Sequence, residues 1–173
     1  GWRSCGIDWP GLPSPGMLRR LFERVADAVG QTGDDASRQA QREEAVRLAT
    51  AVLMVEVARA DNRFSDIEAR NIEALVRERF DLSADDAAAL TAEADAAADD
   101  LVSLHEFTHL LHESLGDGEK AEIVASLWRV AYADGELDKY EDALVLQISD
   151  LLYVSRSLVM RLKHDAAIAN DDA

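Results

Sequence analysis

One stretch of this chain recurs within it, and that recurrence limits the available folds more than any other feature. Read at a constant offset of 73 residues, the segment Met54 to Leu75 matches Leu127 to Ile148. Val57-Ala58-Arg59-Ala60-Asp61 aligns with Val130-Ala131-Tyr132-Ala133-Asp134, and seven residues after each Asp stands a Glu, Glu68 and Glu141. Each copy reads as a helix, a short acidic loop and a second helix. Such a hairpin cannot bury its own apolar face alone, so the two are expected to pack on each other about a pseudo-twofold axis.

The rest of the chain follows the same helical grammar. Apolar residues return every three or four positions, first as Leu18, Leu21, Phe22, Val25 and Val29. After the break at Gly30 to Gly33 and the polar run Asp34 to Arg42, a longer stripe follows at Ala45, Leu48, Val52, Val55 and Ala58. Period-two alternation, the mark of a half-buried strand, is missing. Three capping boxes mark helix starts, because a Ser or Asp oxygen accepts a free first-turn amide while a Glu three residues on reaches back. They are Ser65 with Glu68, Ser103 with Glu106, and Asp138 with Glu141. These open helices running to about Phe80, Leu115 and Leu152. An alanine-rich helix is expected after Ser83, another from about Glu119 to Ala133 behind Gly116-Asp117-Gly118, and a last one from about Ser155. The fold class is all-α, a bundle of seven or eight helices.

Of the 173 residues, Gly1 to Gly16 hold all three prolines, four of the nine glycines and two of the three tryptophans. They lack the basic start and apolar stretch of a secretory signal. They are expected to be a disordered leader or cloning remnant, with the native start near Met17. Residues 17–40 then form an N-terminal amphipathic helix and linker, 41–169 the helical domain, and 170–173 a tail. A domain of this size buries roughly 70% of its unfolded surface and needs neither disulfides nor a structural metal. The lone Cys5 offers neither, which suits a reducing, cytoplasmic setting.

Thirty-four acidic residues against 18 Lys and Arg give a formal charge of −16. That balance argues against nucleic acid, whose binding rests on neutralising phosphates with cations. It favours a cation, a basic protein partner or plain solubility. No apolar run is long enough to span a bilayer. The Leu18, Phe22 and Val25 stripe, flanked by Arg19, Arg20 and Arg24, could rest on a membrane surface or a partner helix, or pack on the bundle.

The repeated Ala-x-Ala-Asp loop, and above all Leu127-Trp128-Arg129-Val130-Ala131-Tyr132-Ala133-Asp134-Gly135-Glu136-Leu137 followed by Glu141, resembles the TerB-like domain. That domain occurs in tellurite-resistance proteins, as a stand-alone bacterial protein, and fused to J-domain co-chaperones. The resemblance covers about Arg47 to Lys163. It implies an all-helical, internally duplicated fold and a divalent-cation role for the paired loops. The residues carried over are Asp61 and Glu68 in the first loop and Asp134 and Glu141 in the second, with Asp66, Glu136 and Asp138 close by. The first loop departs from the fuller pattern, since Asn62 and Arg63 replace Gly135 and Glu136.

Two readings of these carboxylates stand together. Hard divalent ions seek several oxygens, which two acidic loops can supply, although the spacing is not that of an EF-hand. The same residues also serve as helix caps and chain turns.

His105-Glu106-Phe107-Thr108-His109 matches the H-E-x-x-H signature of zinc peptidases. His112 and Leu115 stand where the longer metzincin pattern needs Gly and His, no strand is at hand to align a peptide, and Glu106 is accounted for by Ser103. His105, His109 and His112 share one helical stripe that could collect zinc, or border the apolar stripe of Leu104, Thr108, Leu111 and Leu115. Trp128 falls with Val124, Leu127 and Ala131 at core spacing. The sequence therefore points to a non-enzymatic module for stress or metal-resistance physiology, binding a divalent cation or, without metal, a basic partner.

Overall fold

The computed structural model describes residues 35–101 and 103–172, and among these every regular element is an α-helix. They are α1 (Asp35–Ala58), α2 (Asp66–Phe80), α3 (Ala84–Asp99), α4 (Leu104–Ser114), α5 (Asp117–Tyr132), α6 (Lys139–Leu151) and α7 (Arg156–Asp171). The leader and the amphipathic stripe from Leu18 to Val29 lie outside the described residues.

Two helices form the centre. In α1 every residue from Leu48 to Val55 is buried, so the helix is covered on all sides, by α2, α3, α5 and α6. In α5, Ile123, Val124, Leu127, Trp128 and Ala131 are each no more than 2% exposed, and the helix packs on α1, α2, α6 and α7. The buried hydroxyls of Thr50, Thr91, Thr108, Ser126 and Ser149 each donate to a carbonyl one turn back in their own helix, so the core carries them without an unmet donor. Among the described residues the indole Nε1 of Trp128 is a buried donor that finds no partner.

The helix starts follow the expected caps, with informative departures. Ser65 and Glu68 make a complete box, the Glu68 amide donating to Ser65 Oγ at 3.3 Å and the Ser65 amide to Glu68 Oε2 at 2.6 Å. Ser103 accepts from the Glu106 amide at 3.2 Å. Asp138 takes the Tyr140 amide at 2.7 Å rather than that of Glu141.

The helix expected from Glu119 begins at Asp117, with Gly116 as its N-cap and Gly118 inside the first turn. First-turn amides have no partner within the helix, so a glycine there disturbs little. The polar run from Asp35 to Arg42 is helical, and α1 continues without a break across position 40. Arg42 holds this end down by donating to the Ser114 carbonyl at 3.2 Å and to Glu119 at 2.7 Å.

Candidate functional site

The two repeated loops are built alike, bond for bond. Asn62 donates to the Arg59 carbonyl at 2.8 Å and Gly135, 73 positions on, to the Tyr132 carbonyl at 3.0 Å. Ala60 and Ala133 donate to Val57 and Val130, each at 3.1 Å. Asn62 at φ 63° and Gly135 at φ 91° both take the left-handed conformation that lets the chain reverse. Asn tolerates that region and Gly occupies it freely, which explains the one substitution of this kind between the copies. Ser65 and Asp138 then cap the following helices.

The surroundings of the two loops differ sharply. At the first, Asp61 turns back to accept the Arg63 amide at 3.0 Å, and Glu68 is occupied by Ser65. Arg59 crosses from α1 to α3, pairing with Asp95 and, at 2.8 Å, with Asp99, while lying over the Phe64 ring. Burial disfavours the Arg59 charge, but Asp99 and Asp95 together outweigh it and hold the guanidinium above its ordinary value, while burial raises the carboxyl of neighbouring Glu56. At the second loop the positions of Arg59 and Arg63 are taken by Tyr132 and Glu136.

Glu141 lies at the centre of this second loop. It is 8% exposed, although its neighbours Asp134 and Glu136 are exposed and Asp138 is half-buried. Burial is the largest influence on its carboxyl, followed by the negative charge of Asp134. The amide of Asp138 donates to it and opposes the rise, while Asp138 and Glu68 add repulsion. The result is a carboxyl pushed up from 4.5 to about 7, so that it titrates near neutral pH. Glu68 of the first loop thus reaches the same electrostatic neighbourhood as Asp134, Asp138 and Glu141. Asp61 and Asp66 are exposed on the first loop and the start of α2, and Glu136 is exposed on the second.

The donors here are all carboxylate oxygens, the chemistry that hard divalent ions prefer. Their spacing is not that of a formed metal centre: among the described residues no three His, Cys, Asp or Glu side chains are grouped to hold one ion. The same holds for the histidine stripe. His105 and Glu106 are exposed, and His109 pairs with Glu113 at 3.4 Å. His112 turns its Nδ1 to Lys120 at 3.1 Å and stacks on Tyr153 with ring centroids 4.4 Å apart. Neither the Arg59 tie to α3 nor the burial of Lys120 is signalled by local spacing, since both depend on which helices become neighbours.

Two helix–acidic loop–helix hairpins with matching turn bonds, set among described residues whose regular elements are all α-helices, define a class of small helical modules. The family model described as Tellurite resistance protein TerB matches residues 47–164, well over half of the chain, and the chain belongs to that family. No curated protein and no solved structure matches it. Among the described residues no helix is long and apolar enough to cross a membrane.

Proposed function

We propose that this TerB family member is a non-enzymatic module that takes up a divalent cation between its paired acidic loops, in metal-resistance or general stress physiology in the cytoplasm. The observation that carries the reading is Glu141, a buried carboxyl whose acidic neighbours are Asp134, Asp138 and Glu68. A carboxylate held among carboxylates is relieved either by a proton or by a cation. Near neutral pH the carboxyl is only partly protonated, so a cation would have little proton binding to overcome.

Because no three donors converge at rest, an ion has to assemble its own shell. Asp134 is exposed and would turn inward, whereas Asp138 and Glu68 would have to give up their bonds to the Tyr140 and Ser65 amides to join it. Asp61 and Glu136 stand further out as supporting charge. Oxygen-only donors select calcium, magnesium or manganese ahead of zinc. Arg63 in the first loop favours the second as the side on which a cation would bind.

The test is thermal unfolding of chelator-stripped protein titrated with each of these four ions. An ion that binds only the folded state raises the melting temperature with its concentration. One ion is expected to do so in the wild type and to lose its effect when Asp134 and Glu141 are both changed to Ala. If no ion shifts the wild type, the cation reading falls. The second reading, a metal-free scaffold whose acidic loops dock a basic protein, then takes its place. It is favoured by the same unassembled spacing, since lysine and arginine side chains need no closed shell of donors.

A further inference from the structure

A second charged feature lies at the other end of the molecule. Ten residues of α6 follow Glu141, so its carboxyl stands about 15 Å along the helix from the last turn, beyond which lies a cavity. This cavity, near 250 Å³, is lined by Asp117, Lys120, Tyr153, Val154, Ser155 and Leu158.

Lys120 is the group the fold leaves unexplained. In a chain of charge −16 with acidic surface on every side, a lysine is easily kept in water, yet its side chain is only 6% exposed. Burying an ammonium is costly unless it is paired and hydrogen-bonded. Its contacts are His112 Nδ1 at 3.1 Å, which carries no negative charge, and Asp117 Oδ1 at 3.3 Å. The Asp117 side chain is fully exposed, so water screens that pair. Among the described residues these two contacts leave one of the three ammonium N–H bonds over.

The cavity is also where two 16-residue helices begin. Asp117 is the first residue of α5 and Ser155 the N-cap of α7, and neither helix has a side-chain cap on its first amides. Tyr153 forms the rim. It holds the left-handed φ of 59° with its ring 74% exposed, anchored by the stack on His112, while Val154 and Leu158 supply an apolar wall.

We infer that this cavity binds a small oxyanion of the phosphate type. Lys120 supplies the countercharge, the open amides at the starts of α5 and α7 supply donors, and the Tyr153 ring meets whatever organic group the anion carries. Asp117 holds Lys120 in the absence of ligand and gives way when the anion arrives. A phosphate group fills only part of the volume, which leaves room for a small organic substituent. The site is independent of the acidic loops.

The experiment is thermal unfolding at constant ionic strength with increasing inorganic phosphate, phenyl phosphate or chloride. The wild type is expected to show a saturable rise with phosphate and none beyond the ionic-strength control with chloride. Lys120→Met keeps the buried stem and removes the charge, and should abolish the rise. Ser155→Asp puts a carboxylate at the head of α7, and should raise the unliganded melting temperature while removing the response to phosphate. Asp117→Asn should bind phosphate several-fold more tightly. A larger shift with phenyl phosphate identifies an organic phosphate as the ligand, and an equal shift identifies free phosphate. A phosphate response that persists undiminished in Lys120→Met, or its absence from the wild type, overturns the inference.

Discussion

Glu141 gives the sharpest quantitative expectation. Replacing it with Gln removes the ionisable group and keeps an oxygen that accepts the Asp138 amide, so the start of α6 retains its cap. The sign follows from linkage. The folded-state value of about 7 lies above the 4.5 of the unfolded chain. Below pH 4.5 both states are protonated and the carboxyl makes no difference. Between 4.5 and 7 the folded state holds a proton that the unfolded state releases, and each pH unit removes about 1.4 kcal/mol of stability. Above 7 the full cost remains and no longer grows. The ceiling is about 3 kcal/mol, and water reaching the loop reduces it to about 2 kcal/mol. For a chain of this size that is roughly 4 to 8 °C in melting temperature.

Calorimetry of wild type and Glu141→Gln in chelator, at pH 5, 6, 7 and 8, should therefore give a gap that is small at pH 5, widens through pH 7 and is level by pH 8, with the variant the more stable. Taking the difference removes the contributions that the two proteins share. A variant no more stable than wild type at pH 8, or a gap that ignores pH, would refute the account of Glu141 as a strained carboxyl. If the cation reading holds, the effective ion should close the gap at pH 8 by stabilising the wild type alone.

Three further outcomes test the fold. Ser65→Ala, which opens the capping box at α2, should lower stability by about 1 kcal/mol in urea unfolding, and an unchanged midpoint would show the box to be idle. Gly135→Ala meets no atom within 4 Å but must hold φ 91°, so a loss of about 1 kcal/mol is expected from backbone strain alone. Asn62→Gly at the equivalent turn should gain a few tenths or stay level, and the same sign at both positions would contradict the matched geometry. Trp128→Ala should cost about 3 to 5 kcal/mol as a cavity in the core. Trp128→Phe keeps most of the ring and deletes the unpartnered Nε1, and should cost well under half as much.

What the sequence made legible was whatever is settled within a turn or two of helix. Ser65 and Glu68 announce a start because their bonds span three residues, and the stripe Ala45, Leu48, Val52, Val55 and Ala58 does face the core. The stripe understated α1, however, because Ala49, Thr50, Ala51, Leu53 and Met54 are buried too. A helix enclosed on all sides has no polar face to reveal a period. The acidic residues were legible as candidates but not as a site. Nothing local distinguishes Glu68 from Glu141, which share a position in the repeat, yet one completes a capping box at a half-exposed helix start and the other is buried among charges. Lys120 carried no signal at all, since a lysine early in a helix reads as surface until α4 and the turn before α7 close over it.

The duplication itself explains where the chemistry concentrates. Glu68 of the first hairpin adds repulsion at Glu141 of the second, so the carboxylates of the two loops oppose one another. The first copy carries Arg63 in the loop, while its Arg59 is engaged by Asp95 and Asp99 on α3. The second has Tyr132 and Glu136 at those places, and so leaves Glu141 uncompensated. Exchanging the character of the copies should therefore move the effect: Tyr132→Arg brings a guanidinium beside the second loop, and is expected to lower the Glu141 carboxyl toward the ordinary range. The pH-dependent gap to the corresponding Gln variant should then shrink, with any response to divalent ions weakening in parallel. If the gap keeps its full size with Arg at position 132, the difference between the two copies does not arise from these cations.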